Sequence, residues 1–527
     1  MAGVDYVVVG GGINGLVAAA MLGKKGRMVL LLERNDRIGG CLRTEEVTAP
    51  GFVHDVMATT LVLFLISPAY AAIGKDLEAR GFAVAHSELP TGVIRPDGSH
   101  LVFSRDRDPN VAAFEACAKG DGETFATEME RMGADAPFLF SLLGGQLWSW
   151  QTAITIARET WKRGPRALAA WFGEALRPSR HYLESTYRSD AIHALWAPWG
   201  LHCGLNPESA YSAQMIKLIA FAVELAGCPI AVGGAKTLVP AFARLIADQG
   251  GRVQCGADVE RIETDAVGSA RAVRLASGER IEATHGVVCS MTPTQLYGRL
   301  LCDHPAAAEA AKALRHYRYG KGDMQIHYAL DAPPRWKGGP DLGKVALLHV
   351  TAGLDGVSRA ANECERGLLP TEPTICVGQP TALDPSRAPE GKAILWLQLP
   401  EAPRLIKGDA KGRIATPPDG RWTETVREAF ADRVEALFAH HLEDFPSHVI
   451  ARRAYSPADL ETMSVNLVVG DPYGGYCGLD QFFIWRPFAG STNHRTAVPG
   501  VYHIGAPTHP GPGLGGGSGF LLASTLK

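Results

Sequence analysis

Tyr6–Val9 is a short β-branched and aromatic run that leads without a break into Gly10-Gly11-Gly12-Ile13-Asn14-Gly15 and then into the apolar stretch Leu16–Leu22. A buried strand, G-x-G-x-x-G at 10, 12 and 15, and a helix directly behind it leave few folds open. The first glycine permits the tight turn, the second lets backbone approach a pyrophosphate, and the third lets the helix pack closely on the strand; each role needs a missing Cβ. The N-terminus of the helix expected over Leu16–Leu22 would turn its free N–H groups and the positive end of its dipole toward the phosphates, with Ile13 and Asn14 of the turn among the expected cofactor contacts. A second strand, Met28–Leu32, ends at Glu33, where the ribose-binding acid of such a unit is expected, with Arg34 beside it.

At 527 residues the chain exceeds one ordinary core and allows two or three domains. Apolar residues make up 46% and charged residues 20%, the balance of a globular protein. A formal charge of -3 gives no basic field for phosphodiester backbones, so nucleic acid is not an expected partner. Ten cysteines are scattered without C-x-x-C or Cys/His spacing, which predicts no metal site and no disulfide framework and suits a reducing, cytoplasmic setting. The start, MAGVDYVVVGGG, lacks the charged and apolar regions of a secretory signal and reads as structure.

Past Glu33, ERNDRIGGCLRTEE places Arg37, the Gly39–Gly40 pair, Leu42, Arg43 and Thr44 in order. A solvated basic loop is the competing reading for Arg37 and Arg43. The segment resembles the E-x(3)-R-x-G-G-x-x-R-T stretch of FAD enzymes of the amine oxidase and carotenoid desaturase superfamily. That resemblance implies that Gly39, Gly40, Leu42, Arg43 and Thr44 lie along the FAD pyrophosphate and flavin edge. Residues 232–293 hold a glycine turn, a helix with Leu238, Phe242 and Leu245, strands at Arg252–Cys255 and Asp258–Glu263, a hairpin and the strand Gly286–Ser290. They resemble the second FAD-domain segment of the superfamily, where backbone at the position of Val259 meets the adenine.

Residues 479–519, with LDQFFIWRP and then GVYHIGAPTHPGPGLGGGSG, resemble the phytoene desaturase-like oxidoreductases, including the pyridine-nucleotide-disulfide-oxidoreductase-domain type 2 branch. The pieces 383–398 and 456–461 look like the same branch. By this resemblance Gly505 and Ala506 approach the ribityl and phosphate side, while Gly513, Leu514 and Gly516 let backbone reach the flavin at the last helix's N-terminus. After Asp55 the family often runs to a glycine beneath the flavin; here Met57, Ala58 and Thr59 take those positions. The implied fold is α/β: a Rossmann-type FAD-binding domain from 1–65, 232–299 and 486–527, and an interleaved α+β substrate domain from 66–231 and 300–485. The latter contains the hairpin GVIRPDGSHLVF with Asp97–Gly98 as its turn.

Ala136–Ala157 carries no charge and is long enough to span a bilayer, although Gly144–Gly145 and several polar residues favour a buried helix or helix pair. The following basic and aromatic residues allow two readings for 136–180: peripheral contact with a membrane, or a solvated charged face. Trp148, Trp150, Trp196 and Trp199 are either liners of an apolar substrate tunnel or ordinary core.

The resemblance implies an FAD-dependent oxidoreductase that desaturates or isomerises an apolar, lipid-like substrate, passing a hydride to flavin N5 and electrons on to a diffusible acceptor, oxygen or a quinone. His509 is the ionisable residue of the last glycine loop, an acid or base near the ring or a prop for the loop. An amine oxidase on the same fold is the first rival; it needs an aromatic pair, for which Tyr476 and Trp485 are the candidates. A non-catalytic lipid-binding protein like the Rab GDP-dissociation inhibitors is the second, and the full glycine set with Glu33 weighs against it.

Overall fold

The computed structural model describes residues 4–526, so the expected outer domain bounds at 1 and 527 lie outside the described residues. Fourteen strands make its two large sheets: β1 (Val4–Val9), β2 (Val29–Leu32), β3 (Thr91–Ile94), β4 (His100–Phe103), β5 (Arg252–Gln254), β6 (Val259–Thr264), β7 (Ala270–Leu275), β8 (Arg280–Ser290), β9 (Gly322–Leu330), β10 (Leu347–Val350), β11 (Ile375–Gly378), β12 (Ala393–Ala402), β13 (Val449–Tyr455) and β14 (Val501–Ile504). The helices that matter below are α1 (Ile13–Lys24), α2 (Asp121–Leu143), α3 (Trp150–Arg163), α4 (Pro165–Ala175), α5 (Asp190–Leu201), α6 (Ala235–Asp248) and α7 (Gly517–Thr525).

The first sheet runs β6-β7-β8-β1-β2-β5, with β14 on the far half of β8. Its β14, β8, β1, β2 and β5 pair in parallel, and β6 and β7 extend β8 as an antiparallel meander. The near-continuous Val/Leu runs of β1 and β2 follow from that placement, since a parallel strand covered on both faces buries every side chain. Apolar clusters lie on the two faces: Tyr6, Val8 and Leu31 with α1 and α6 on one, Val7, Val9 and Leu32 with β6 to β8 on the other. α1 is apolar nearly all round because it is buried nearly all round, lying in the first of these clusters. Gly519 of α7 meets α1 so closely that a Cβ there would sit 2.1 Å from the Asn14 carbonyl.

The second sheet has the order β13-β9-β12-β11-β10-β3-β4 and is antiparallel except where β10 runs beside β3. The 94–100 turn forms as expected, with Gly98 at a φ of 82° and the Ser99 amide donating to Asp97. The parallel core with flanking helices makes the fold α/β.

The uncharged stretch 136–157 is not a single span. It breaks at Gly144, and α3 restarts where the Ser149 hydroxyl accepts from the Thr152 amide. No helix among the described residues is long and apolar enough to cross a membrane. The expected burial also fails here: Trp148 is 54% exposed and Trp150 86%, and just beyond the stretch Trp161 is 93% exposed. Trp196 and Trp199, by contrast, lie on α5 inside an apolar cluster.

Candidate cofactor site

The three glycines of the first turn answer to different neighbours. Gly10 holds a φ of 101°, and a Cβ on it would lie 2.5 Å from the Ser290 carbonyl; on Gly15 it would lie 2.0 Å from the Gly10 carbonyl. Those two are required by the fold. Gly12 has a φ of -71°, open to any residue, and a Cβ there would meet nothing within 4 Å. The protein itself therefore does not require glycine at 12, and the space beside it is open for a ligand. Gly12 is also the N-cap of α1, with no side-chain cap and no acidic residue in the first turn, so the helix leaves its first N–H groups to an anion.

The second glycine turn packs directly on the first. The Gly39 amide donates to the Gly11 carbonyl at 2.8 Å, Gly39 pairs with Gly12 as a bridge, and a Cβ on Gly40 would lie 3.1 Å from the Gly12 Cα. Glu33 is buried behind them, its Oε2 accepting from the Gly11 amide at 2.8 Å and its Oε1 from Asn35 at 3.0 Å. Leu42 is buried, with its amide on the Gly39 carbonyl. Ile13 and Asn14 are buried at the head of α1. Arg34 is exposed, and Arg37 and Arg43 both turn to Glu45 rather than toward the glycines.

Thr44 belongs to another network. Its hydroxyl donates to Asp55 Oδ1 at 2.5 Å and accepts from the Lys236 amide, while the Ala235 amide donates to the same Asp55 oxygen. Asp55 Oδ2 takes Nη2 of Arg387 at 2.7 Å, and Arg387 Nε reaches Asp384 at 3.1 Å. This set ties three distant segments together, and sequence reasoning missed it; the LDPSR piece at 383–387 is its one visible trace.

Met57 is buried against Tyr455 and Leu460, and Ala58 is half-buried. Thr59 is 6% exposed, and its hydroxyl has no hydrogen-bond partner. An orphaned buried hydroxyl and the room beside Gly12 are features that fit a bound dinucleotide. Val259 opens β6, and its carbonyl accepts from Arg299 at 2.6 Å, so an adenine there would share that oxygen with a guanidinium.

In the last loop the Ser518 hydroxyl accepts from the Gly505 amide at 3.0 Å and pairs with Thr508. The Ala506 carbonyl accepts from Arg486. Gly513, Leu514 and Gly516 answer to packing as well as to any ligand: a Cβ on Gly513 would lie 2.6 Å from Leu63 Cδ1, Leu514 packs on the first-sheet core, and a Cβ on Gly516 would strike Val17 Cγ2 at 2.6 Å. His509 Nε2 lies 3.0 Å from the Gly145 carbonyl, and the His509 carbonyl lies 2.9 Å from His494 Nε2. Burial, then His494, pushes the His509 imidazole down to about 4, so the ring is neutral at ordinary pH and fastens the loop to the α2–α3 connection.

His494, His503, His327 and His202 are likewise pushed down to about 4, in each case chiefly by burial. Between about 4 and the unfolded value near 6.5 the unfolded chain binds protons that the folded chain does not. Their contribution to stability is thus complete above about pH 6.5 and is lost as pH falls toward 4. Denaturant titrations at pH 7.5 and pH 5 are expected to show a clear drop in midpoint on acidification; equal midpoints would contradict the neutral assignment.

Two glycine turns packed together at the end of a parallel sheet, beside an uncapped helix N-terminus, define a dinucleotide-binding protein. The profile of the family described as flavin containing amine oxidoreductase matches residues 13–429, and the chain belongs to that family. It is an FAD-dependent oxidoreductase. Over nearly its whole length it is similar to a limonene dehydrogenase polypeptide of Castellaniella defragrans, 25% identical over 99% of this chain and 94% of that one. It is 28% identical to the zeta-carotene-forming phytoene desaturase of Myxococcus xanthus, over 96% and 90%. Among solved structures, an oxidoreductase from Methanosarcina mazei shares the fold with a TM-score of 0.59 at 15% identity, covering 99% of this chain and 100% of its own.

Proposed function

We propose that this FAD-dependent oxidoreductase dehydrogenates or isomerises an apolar unsaturated substrate and passes electrons to a diffusible acceptor, oxygen or a quinone. The observation that carries the cofactor placement is the open side of Gly12, where the α1 N-terminus, the Gly39–Gly40 turn and the Gly505–Gly516 loop come from one end of the first sheet. In this reading 1–65, 232–299 and 486–527 form the cofactor-binding unit, and 66–231 with 300–485 the substrate unit.

FAD, when bound, supplies a hydride acceptor at N5. The chain's own residues bind and orient. With FAD bound, Gly12, Ile13, Asn14 and Gly15 would hold the pyrophosphate, Glu33 and Arg34 the ribose, and Val259 the adenine. Gly39, Gly40, Leu42, Arg43, Thr44, Met57 to Thr59 and the 505–516 loop would line the rest of the cofactor. His509 acts as a positioning residue, since a neutral ring tied to Gly145 holds the loop in place.

Two relatives named for a terpene and a carotene support an apolar substrate. Tyr476 and Trp485 give an amine reading little support: the Arg318 guanidinium covers one face of the Tyr476 ring, 4.3 Å from its centroid, and Trp485 is 39% exposed. Anaerobic titration of the purified protein with apolar alkenes, carotenoids and amines, followed by flavin absorbance, tests the reading. Bleaching by an alkene or carotenoid is expected; bleaching by amines alone would overturn it.

The same reading gives α3 and α4 a role. At 100° per residue, Trp150, Ile154 and Trp161 fall within about 40° of one another on α3. That stripe points outward, whereas the opposite side is polar: Arg163 bonds Asp135 at 2.7 Å and Glu159 at 2.8 Å, and Trp171 Nε1 donates to Asp135. An amphipathic helix with its apolar side to solvent and Arg158, Lys162 and Arg166 nearby suits an anionic membrane surface. A Trp150→Asp/Trp161→Asp variant is expected to sediment with anionic vesicles about tenfold less than the wild type; a wild type that stays in the supernatant would contradict this placement.

A further inference from the structure

Register places a row of side chains across one face of the second sheet. Gln325 lies beside Gln398, Gln398 beside Cys376, and Cys376 beside His349. From the end of α5, His202 reaches the same place, with its Nε2 2.9 Å from Nε2 of His349. The ligating atoms of His202, His349 and Cys376 all lie within 4.8 Å of one another. Trp199 covers them, its ring centroid 4.8 Å from that of His202 and 5.2 Å from that of His349. His349 and Cys376 are buried, and both His349 Nδ1 and Trp199 Nε1 lack a hydrogen-bond partner.

The buried His349 ring is costly to desolvate, and one hydrogen bond shared with the part-buried His202 offsets only part of that cost. Packing alone does not call for two imidazoles and a thiol at one point. We propose that His202, His349 and Cys376 bind a single thiophilic metal ion, for which monovalent copper is the best fit. Two neutral imidazoles and one thiolate around Cu(I) leave no net charge on the ligand set; Zn(II) would leave one positive charge and ask for a fourth ligand these three residues do not supply.

Each neutral imidazole has one ring-nitrogen lone pair to offer a metal ion. On binding, the Cys376 S–H is replaced by S–Cu and the thiol proton leaves to solvent. The ring that donated the shared hydrogen moves to its Nδ1–H tautomer. The imidazole pair opens to about 3.4 Å so that each Nε2 reaches the ion at about 2.0 Å. No oxidation is involved.

The test uses the FAD-loaded protein under anaerobic conditions, with Cu(I) titrated against a chromogenic Cu(I) chelator. The wild type is expected to take up one equivalent that Cys376→Ser and His349→Asn each bind at least about tenfold more weakly, while both variants keep the flavin spectrum. Equal uptake by the wild type and both variants would overturn the proposal, because the other cysteines would then hold the copper. X-ray absorption at the copper edge of the wild type needs no variant: a shell of one sulfur and two nitrogens is expected, and a sulfur-only shell would refute the assignment.

Discussion

Arg387→Met is expected to lower the free energy of unfolding by about 3–5 kcal/mol, a large share of the stability of an ordinary domain. Arg387 is 0% exposed and is held between Asp55 and Asp384, with the Val53 and Ala231 carbonyls accepting two further hydrogen bonds. Methionine fills much of the same volume but leaves two buried carboxylates facing each other without a cation. Burial works to raise the Asp384 carboxyl, and Ser386, the Gly233 amide and Arg387 together hold it below its ordinary value. Its contribution to stability is present above the unfolded carboxylate value and is lost as pH falls through the folded one. The variant removes part of that contribution and should lose less on acidification than the wild type. Adding Asp384→Asn should recover part of the loss, because the two sites share one network. Urea denaturation of the three proteins measures this, and a change below about 1 kcal/mol in Arg387→Met would show that the network is not holding these segments.

That network also marks where the sequence stops being readable. Gly10 to Gly15, Glu33 and the Asp97–Gly98 turn belong to short motifs that can be recognised from spacing, although the fold adds the contact of Gly10 with Ser290. Asp55 and Arg387 are joined only by the fold, 332 positions apart, and apart from the LDPSR piece that holds Arg387 nothing in the sequence signals the pairing. The same is true of His202, His349 and Cys376, which come from a helix end and two strands; the spacing of cysteines and histidines carries no sign of them.

Other differences have local causes. β8 reaches back to Arg280 rather than starting at Gly286, because its first residues pair with β7 before the strand enters the parallel sheet. The lack of charge in 136–157 suggests burial, yet composition does not say which side of an amphipathic helix meets the protein. On α3 it is the polar side, through Arg163 and Asp135. Gly516 looks in the sequence like a concession to a ligand; its αL conformation and its contact with Val17 make it a demand of α1–α7 packing too. Substitution there would confuse loss of cofactor with loss of fold.

Gly12 does not have that difficulty, and Gly12→Ala carries the second large effect. Its φ of -71° admits alanine, and the added Cβ meets no protein atom within 4 Å, so the cofactor-free variant should be as stable as the cofactor-free wild type to within about 0.5 kcal/mol. The same Cβ would stand where the second glycine of the motif lets a pyrophosphate approach. FAD affinity should fall about tenfold or more, equivalent to at least about 1.4 kcal/mol. The most direct measurement is therefore FAD binding to cofactor-stripped wild type and Gly12→Ala, followed by flavin fluorescence, with unfolding midpoints of both stripped proteins as the control. The account predicts matched midpoints and a weakened, FAD-poor variant; a variant that binds FAD as tightly as the wild type would contradict the placement of the cofactor.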